Sequence, residues 1–136
     1  MKVTADTNVL VRAVMQDDPA QGRAAAKLLG EAESIAIALP SLCEFVWVLL
    51  RVYKLLPADV VEALQALVAA ANVEVNRSAV EAGLAILKAG GDFADGVIAF
   101  EGRWLGGETF VSFDKTAVAL IAAQGKSACL LEAEQH

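Results

Sequence analysis

The sequence predicts an α/β fold: a parallel sheet with helices on both faces. Three observations predict it. Short apolar segments rich in β-formers alternate with longer segments of helical spacing along all 136 residues. Strands separated by helices imply parallel pairing, with the crossover helices covering the sheet. The length suits one domain with its own core and is too short to split comfortably into two, so residues 1–136 are read as a single domain.

The elements follow in order. "KVTA" is a short strand that stops at Asp6, and "NVLVRAVM" has helical spacing. Asp18 as N-cap and Pro19 at the first helical position announce a second helix. "SIAIALP" reads as a buried strand closed by Pro40. "SLCEFVWVLLRVYK", apolar almost all round, predicts a core helix, and "PADVVEALQALVAAA" an amphipathic one. "VEV" at 73–75 is a weak strand. A helix from about Ser78 to Lys88 ends at Gly90 and Gly91, and another begins near Asp92 or Phe93. "TFVSF" and "ACLL" are strands flanking the helix "TAVALIAAQ". No repeat, linker or low-complexity segment interrupts this pattern.

Composition excludes several functions. Glu44, Arg51, Glu62 and Glu101 interrupt the apolar runs before any reaches the length of a membrane span. The N-terminus lacks an export signal, so a soluble cytoplasmic protein with no membrane partner is expected. The single histidine is the last residue, His136, which removes His-based triads and His-ligated zinc. Cys43 and Cys129 lie in apolar segments without CxxC spacing and read as buried thiols. A formal net charge of −6 argues against a broad nucleic-acid surface but allows an acidic site that meets phosphates through a cation. Hydrophobic residues at 57% suggest that part of the apolar surface is covered by a partner. The "FVWVLL" helix and the Leu10, Val14, Met15 side of the first helix are the expected faces.

In a parallel α/β sheet the ligand crevice lies beyond the carboxyl ends of the strands. Asp6 follows the first strand and Asp114 follows "TFVSF"; Glu44 opens the helix after "SIAIALP". Asp95 opens the "FADGVIAF" helix, whose entry no strand immediately fixes. Each acid also has a structural role open to it. Ser41 and Glu44 fit a capping box; Asp6, Asp92 and Asp114 fit N-caps; Asp95 suits the positive end of a helix dipole. Together they point elsewhere. Two carboxylates about 5 Å apart repel by ~3 kcal/mol at an effective dielectric near 20, whereas a dipole contact returns only about 0.3–1 kcal/mol. Clustered carboxylates without His or Cys call for a hard cation, Mg²⁺ or Mn²⁺, and the usual chemistry of such a site is phosphoryl transfer by metal-activated water.

"ADTNVLVRAVMQDDPAQGRAAAKLL", "PSLCEFVWVLLRVYKL" and "GGDFADGVIAFEGRWLGGETFVSFDK", in this order, resemble a PIN-domain ribonuclease, specifically a VapC-type toxin of a bacterial toxin–antitoxin pair. The resemblance covers nearly the whole chain. It implies a PIN-like three-layer fold with a five-stranded parallel sheet, and Mg²⁺- or Mn²⁺-dependent endonucleolytic cleavage of RNA, transfer RNA being a family habit. It also implies a homodimer and inhibition by a VapB-like antitoxin. By position, Asp6, Glu44, Asp95 and Asp114 would be the catalytic, metal-binding acids. Thr7 and Asn8 stand where the family supports the first acid, with local turn hydrogen bonds as the alternative. Ser112 stands where the family often has Thr, and Asp92 matches an outer acid that serves as a cap or outer partner. Gly96 replaces the more usual Ala and predicts a helix turn loosened by up to ~1 kcal/mol. Lys115 reads as a solvated lysine beside Asp114, with contact to a substrate phosphate as the alternative.

Two other classes compete: a phospho-receiver-like signalling domain and a PIN fold kept as a non-catalytic binding module. "SFDK" suggests a receiver's lysine, but Asp6 has no acidic neighbour. A phosphatase with an aspartyl nucleophile would need an acid where Asn8 stands. RNA cleavage that stops with EDTA separates enzyme from module.

Overall fold

The computed structural model describes residues 1–134; His136 lies outside the described residues. The chain forms two compact units, Met1–Asn76 and Arg77–His136.

The first unit runs β1 (Lys2–Thr4), α1 (Thr7–Met15), α2 (Pro19–Glu31), β2 (Ser34–Ala36), α3 (Leu39–Arg51), α4 (Pro57–Ala69) and β3 (Val73–Glu74). Its strands pair in parallel in the order β1-β2-β3, with Val3 opposite Ile35 and Ile35 opposite Val73. Ile35 in the central strand is fully buried, as are Leu10, Leu42, Phe45, Leu49, Val60 and Leu64 from the helices. This apolar stripe holds α1, α3 and α4 in place, since isolated helices of such length are marginal in water. Asp18 caps α2 through a bond from the Gln21 amide, with Pro19 in the first turn, as the sequence predicts.

The start of α3 differs from expectation. The sequence reading ends a strand at Pro40 and caps the helix with Ser41; the helix instead starts at Leu39, and Ala38 at the N-cap makes no side-chain bond. Pro40 fits the first turn because its missing N–H is one that the helix would leave unpaired, and its fixed φ is already helical. Glu44 therefore lies in the second turn of α3 rather than opening it.

The second unit runs α5 (Arg77–Lys88), α6 (Phe93–Trp104), β4 (Phe110–Ser112), α7 (Lys115–Ala123) and β5 (Ala128–Leu130). β4 and β5 pair in parallel, Val111 opposite Cys129. Gly90, at φ 97, takes the left-handed conformation just past the end of α5 that disfavours a side chain. Helices α5 and α6 cross at two glycines. A Cβ on Gly96 would strike the Ala82 carbonyl and stand 2.7 Å from the Gly83 Cα; one on Gly83 would stand 2.6 Å from the Phe93 ring. Gly96 thus tightens this contact, where the sequence reading has it loosen a helix turn.

All five expected strands form, every pairing is parallel and helices flank the strands, which makes this an α/β fold. Among the described residues the strands pair as three and two, not as one continuous ladder of five. At two or three residues each, the strands carry few ladder bonds. Two side-chain expectations change. Cys43 is half-buried and Cys129 exposed, because β5 alternates and the Val111–Cys129 row is its open side. The apolar faces expected to await a partner are largely consumed: Leu10, Phe45, Val46 and Leu49 are buried, Val14 and Met15 half-buried, and Trp47 stays 55% exposed. Among the described residues no helix is long and apolar enough to cross a membrane.

Candidate functional site

Asp6 stands two residues beyond β1, in extended backbone, where the strand hands over to α1. Its carboxylate accepts a hydrogen bond from the Val9 amide at 3.2 Å and so caps the helix. Thr7, the first residue of α1, is the buried polar side chain of this region. Its Oγ1 donates to the Ser41 carbonyl in the first turn of α3 at 3.5 Å, the long end of a hydrogen bond. That contact joins the head of α1 to the head of α3, the helix that carries Glu44 three residues after Ser41. Glu44 is exposed and, one turn inside α3, serves no cap. Asn8 is exposed on α1.

In the second unit Asp92 caps α6 through the Ala94 amide at 3.0 Å. Asp114 caps α7 through the amides of Thr116 at 2.9 Å and Ala117 at 3.2 Å. The Ser112 hydroxyl accepts a 3.0 Å bond from the Asp114 amide, fixing the turn between β4 and α7. Asp95, in the first turn of α6, is half-buried. Burial, followed by the like charges of Asp92 and Asp114, holds its carboxyl above the usual Asp range. These three acids therefore share one electrostatic neighbourhood.

The causes acting on Asp95 include no basic side chain. Among the described residues the ion pairs are Lys2–Glu33 and Arg12–Asp17, and neither includes a candidate acid. Lys115 is exposed beside Asp114 without such a bond. The donor chemistry is oxygen only, which suits a hard divalent cation. Among the described residues, however, no group of three or more His, Cys, Asp or Glu side chains stands ready to hold a metal ion.

A PIN domain family match runs from residue 3 to residue 123, from β1 through the end of α7, and takes in every one of these acids. The chain belongs to the PIN-domain family. No curated protein matches it. The family carries a nuclease-like fold, and this PIN domain has an acid after β1, one in α3, one in the first turn of α6 and one after β4. Sequence reasoning missed Gly83. Its partner, the Phe93 ring beside the Asp92 cap, lies ten residues away, and no local signal joins the two.

Proposed function

We propose that this PIN domain is a Mg²⁺- or Mn²⁺-dependent endoribonuclease, the toxin of a VapBC-type pair. The observation that carries the reading is Asp95: a half-buried carboxyl held above the usual Asp range by its burial and then by the like charges of Asp92 and Asp114, with no basic side chain among the causes acting on it, in a chain of a nuclease-like family. Asp6, Glu44, Asp95 and Asp114 would hold the cation, on the reading that the two units together make a single PIN domain. The cation, when bound, supplies Lewis acidity toward a phosphate oxygen and lowers the pKa of a water. The protein's own contribution is orientation. Asp6 and Asp114 are aimed by the helix amides they cap, Ser112 fixes the Asp114 backbone, and Thr7 ties the heads of α1 and α3. Asp92 adds negative charge from outside, as a cap. The chain would act in the cytoplasm as a homodimer, held inactive by a VapB-like antitoxin whose basic residues approach the acids.

Purified protein freed of antitoxin should cleave structured RNA with Mg²⁺ or Mn²⁺ and stop when EDTA is added. Undiminished cleavage in excess EDTA would overturn the reading. A folded protein that fails to cleave with either metal would favour the second reading, a non-catalytic PIN module. The lack of a ready three-ligand group among the described residues is the observation on its side.

A further inference from the structure

The second unit contains a cavity of about 650 Å³, walled by α5, α6 and the end of α7. Its volume falls within the roughly 300–1,000 Å³ range of small-ligand sites. The wall from α6 is one stripe, Gly96, Ala99, Phe100 and Arg103, spaced three and four residues apart, with Trp104 beside it. Phe100 and Trp104 stand with ring centroids 6.5 Å apart, and Trp104 is 79% exposed although large and apolar. Charge is distributed unevenly around this opening. Residues 77–136 hold eight acids and five lysines or arginines; two of the five, Arg103 and Lys126, line the cavity, and none of the acids does.

We infer that this cavity holds one nucleotide of a single-stranded RNA. The base lies against Trp104 and Phe100, and the adjoining phosphate meets Arg103 and Lys126. A flat aromatic platform beside two cations fits a base with its phosphate, since stacking accepts any base and the cations track the backbone. An acidic peptide fits less well: among the described residues Gln124 is the one uncharged polar side chain in the wall, and a peptide backbone needs several partners. The cavity shares α6 with Asp95. Eight residues at 1.5 Å each place Arg103 about 12 Å along the helix from Asp95, so a short strand could reach both ends. The choice of RNA as the polymer rests on the ribonuclease reading; the stacking and charge do not.

The test is binding without cleavage. In Trp47→Phe protein, where Trp104 is the remaining indole, a short single-stranded RNA added in EDTA should quench fluorescence, with affinity falling as salt rises. With binding followed by the fluorescence anisotropy of an end-labelled RNA, Trp104→Ala should weaken it by at least about fivefold and Trp104→Phe by much less. Arg103→Gln with Lys126→Gln should flatten the salt dependence by roughly 0.7 in log–log slope for each phosphate that is no longer neutralised. Both residues at issue in α6 are exposed, so these changes leave the core intact. Unchanged RNA affinity in Trp104→Ala and in the double variant overturns the inference. So does equally tight binding of an acidic peptide or a free nucleoside monophosphate. Cleavage with Mn²⁺, measured separately, keeps the two readings apart: cleavage with no role for Trp104 sinks the cavity alone, and binding through Trp104 with no cleavage in any divalent metal sinks the nuclease.

Discussion

Asp95 separates a structural from a functional role more sharply than its neighbours do. Its folded-state pKa lies above its unfolded value, so the folded protein binds the extra proton and stability falls as pH rises from the ordinary Asp range through the raised value. Asp95→Asn removes that dependence. In EDTA the variant should melt higher than wild type at neutral pH, the gap closing toward acid, while RNA cleavage is lost; a variant that melts lower at neutral pH contradicts the account of a carboxylate penalised by burial and by like charges. Asp17 runs the other way, lowered chiefly by the Tyr53 hydroxyl that donates to it at 2.7 Å, but it is common to both proteins and cancels in the comparison. Glu44 gives the complementary test. A capping box needs Gln or Glu three residues after the N-cap, and Glu44 lies six residues beyond Ala38. Glu44→Gln should leave stability within about 0.5 kcal/mol of wild type and abolish cleavage. Full activity in that variant would remove Glu44 from the ligand set.

At the scale of elements, the α5–α6 crossing sets where Asp95 stands, because Gly96 is the next residue. Helix propensity alone favours Ala over Gly by up to ~1 kcal/mol. Gly96→Ala should nonetheless destabilise by about 1–3 kcal/mol, since its Cβ would meet backbone of α5 that cannot turn aside. Gly102, in the same helix with open space around it, isolates the propensity term: Gly102→Ala should stabilise by up to ~1 kcal/mol. Urea denaturation of the two variants beside wild type decides it, and equal effects of the same sign would refute the packing account. Crossings of this kind are invisible in a single sequence. "FADG" announces a helix start and an acid, but the partner of Gly96 lies on another helix.

For the whole molecule, most of the element order was legible because the stop signals are local: Asp18-Pro19, Pro57 and Gly90-Gly91 each end or begin an element by their own backbone chemistry. The start of α3 was misplaced because Pro40 serves equally well as a strand terminator or a first-turn residue, and only the backbone decides. Strand existence was readable but ladder continuity was not, since pairing depends on partners far along the chain. The acids were legible as a set of positions; their distances were not. Residual apolar exposure also moved. Trp47, Val52 and Leu56 in the first unit and Ile98, Leu105 and Phe113 in the second remain largely exposed, rather than the α1 face. Surfaces this apolar favour association, so light scattering at micromolar concentration should report a dimer, and Trp47→Glu should shift it toward monomer if the α3 face is the contact. A monomeric wild type would count against the homodimer.

The caps at Asp6, Asp92 and Asp114 carry a further consequence. Each engages the helix through one carboxylate oxygen, Oδ1, so the rotamer of each acid is chosen when its helix forms. Side-chain freedom is thereby surrendered during folding rather than when a ligand arrives, which sharpens whatever those oxygens face. The same geometry makes the length of the side chain as decisive as its charge. Glutamate at position 6 or 114 would preserve the charge yet swing the carboxylate one methylene past the amides that aim it, so the customary conservative exchange is not conservative here.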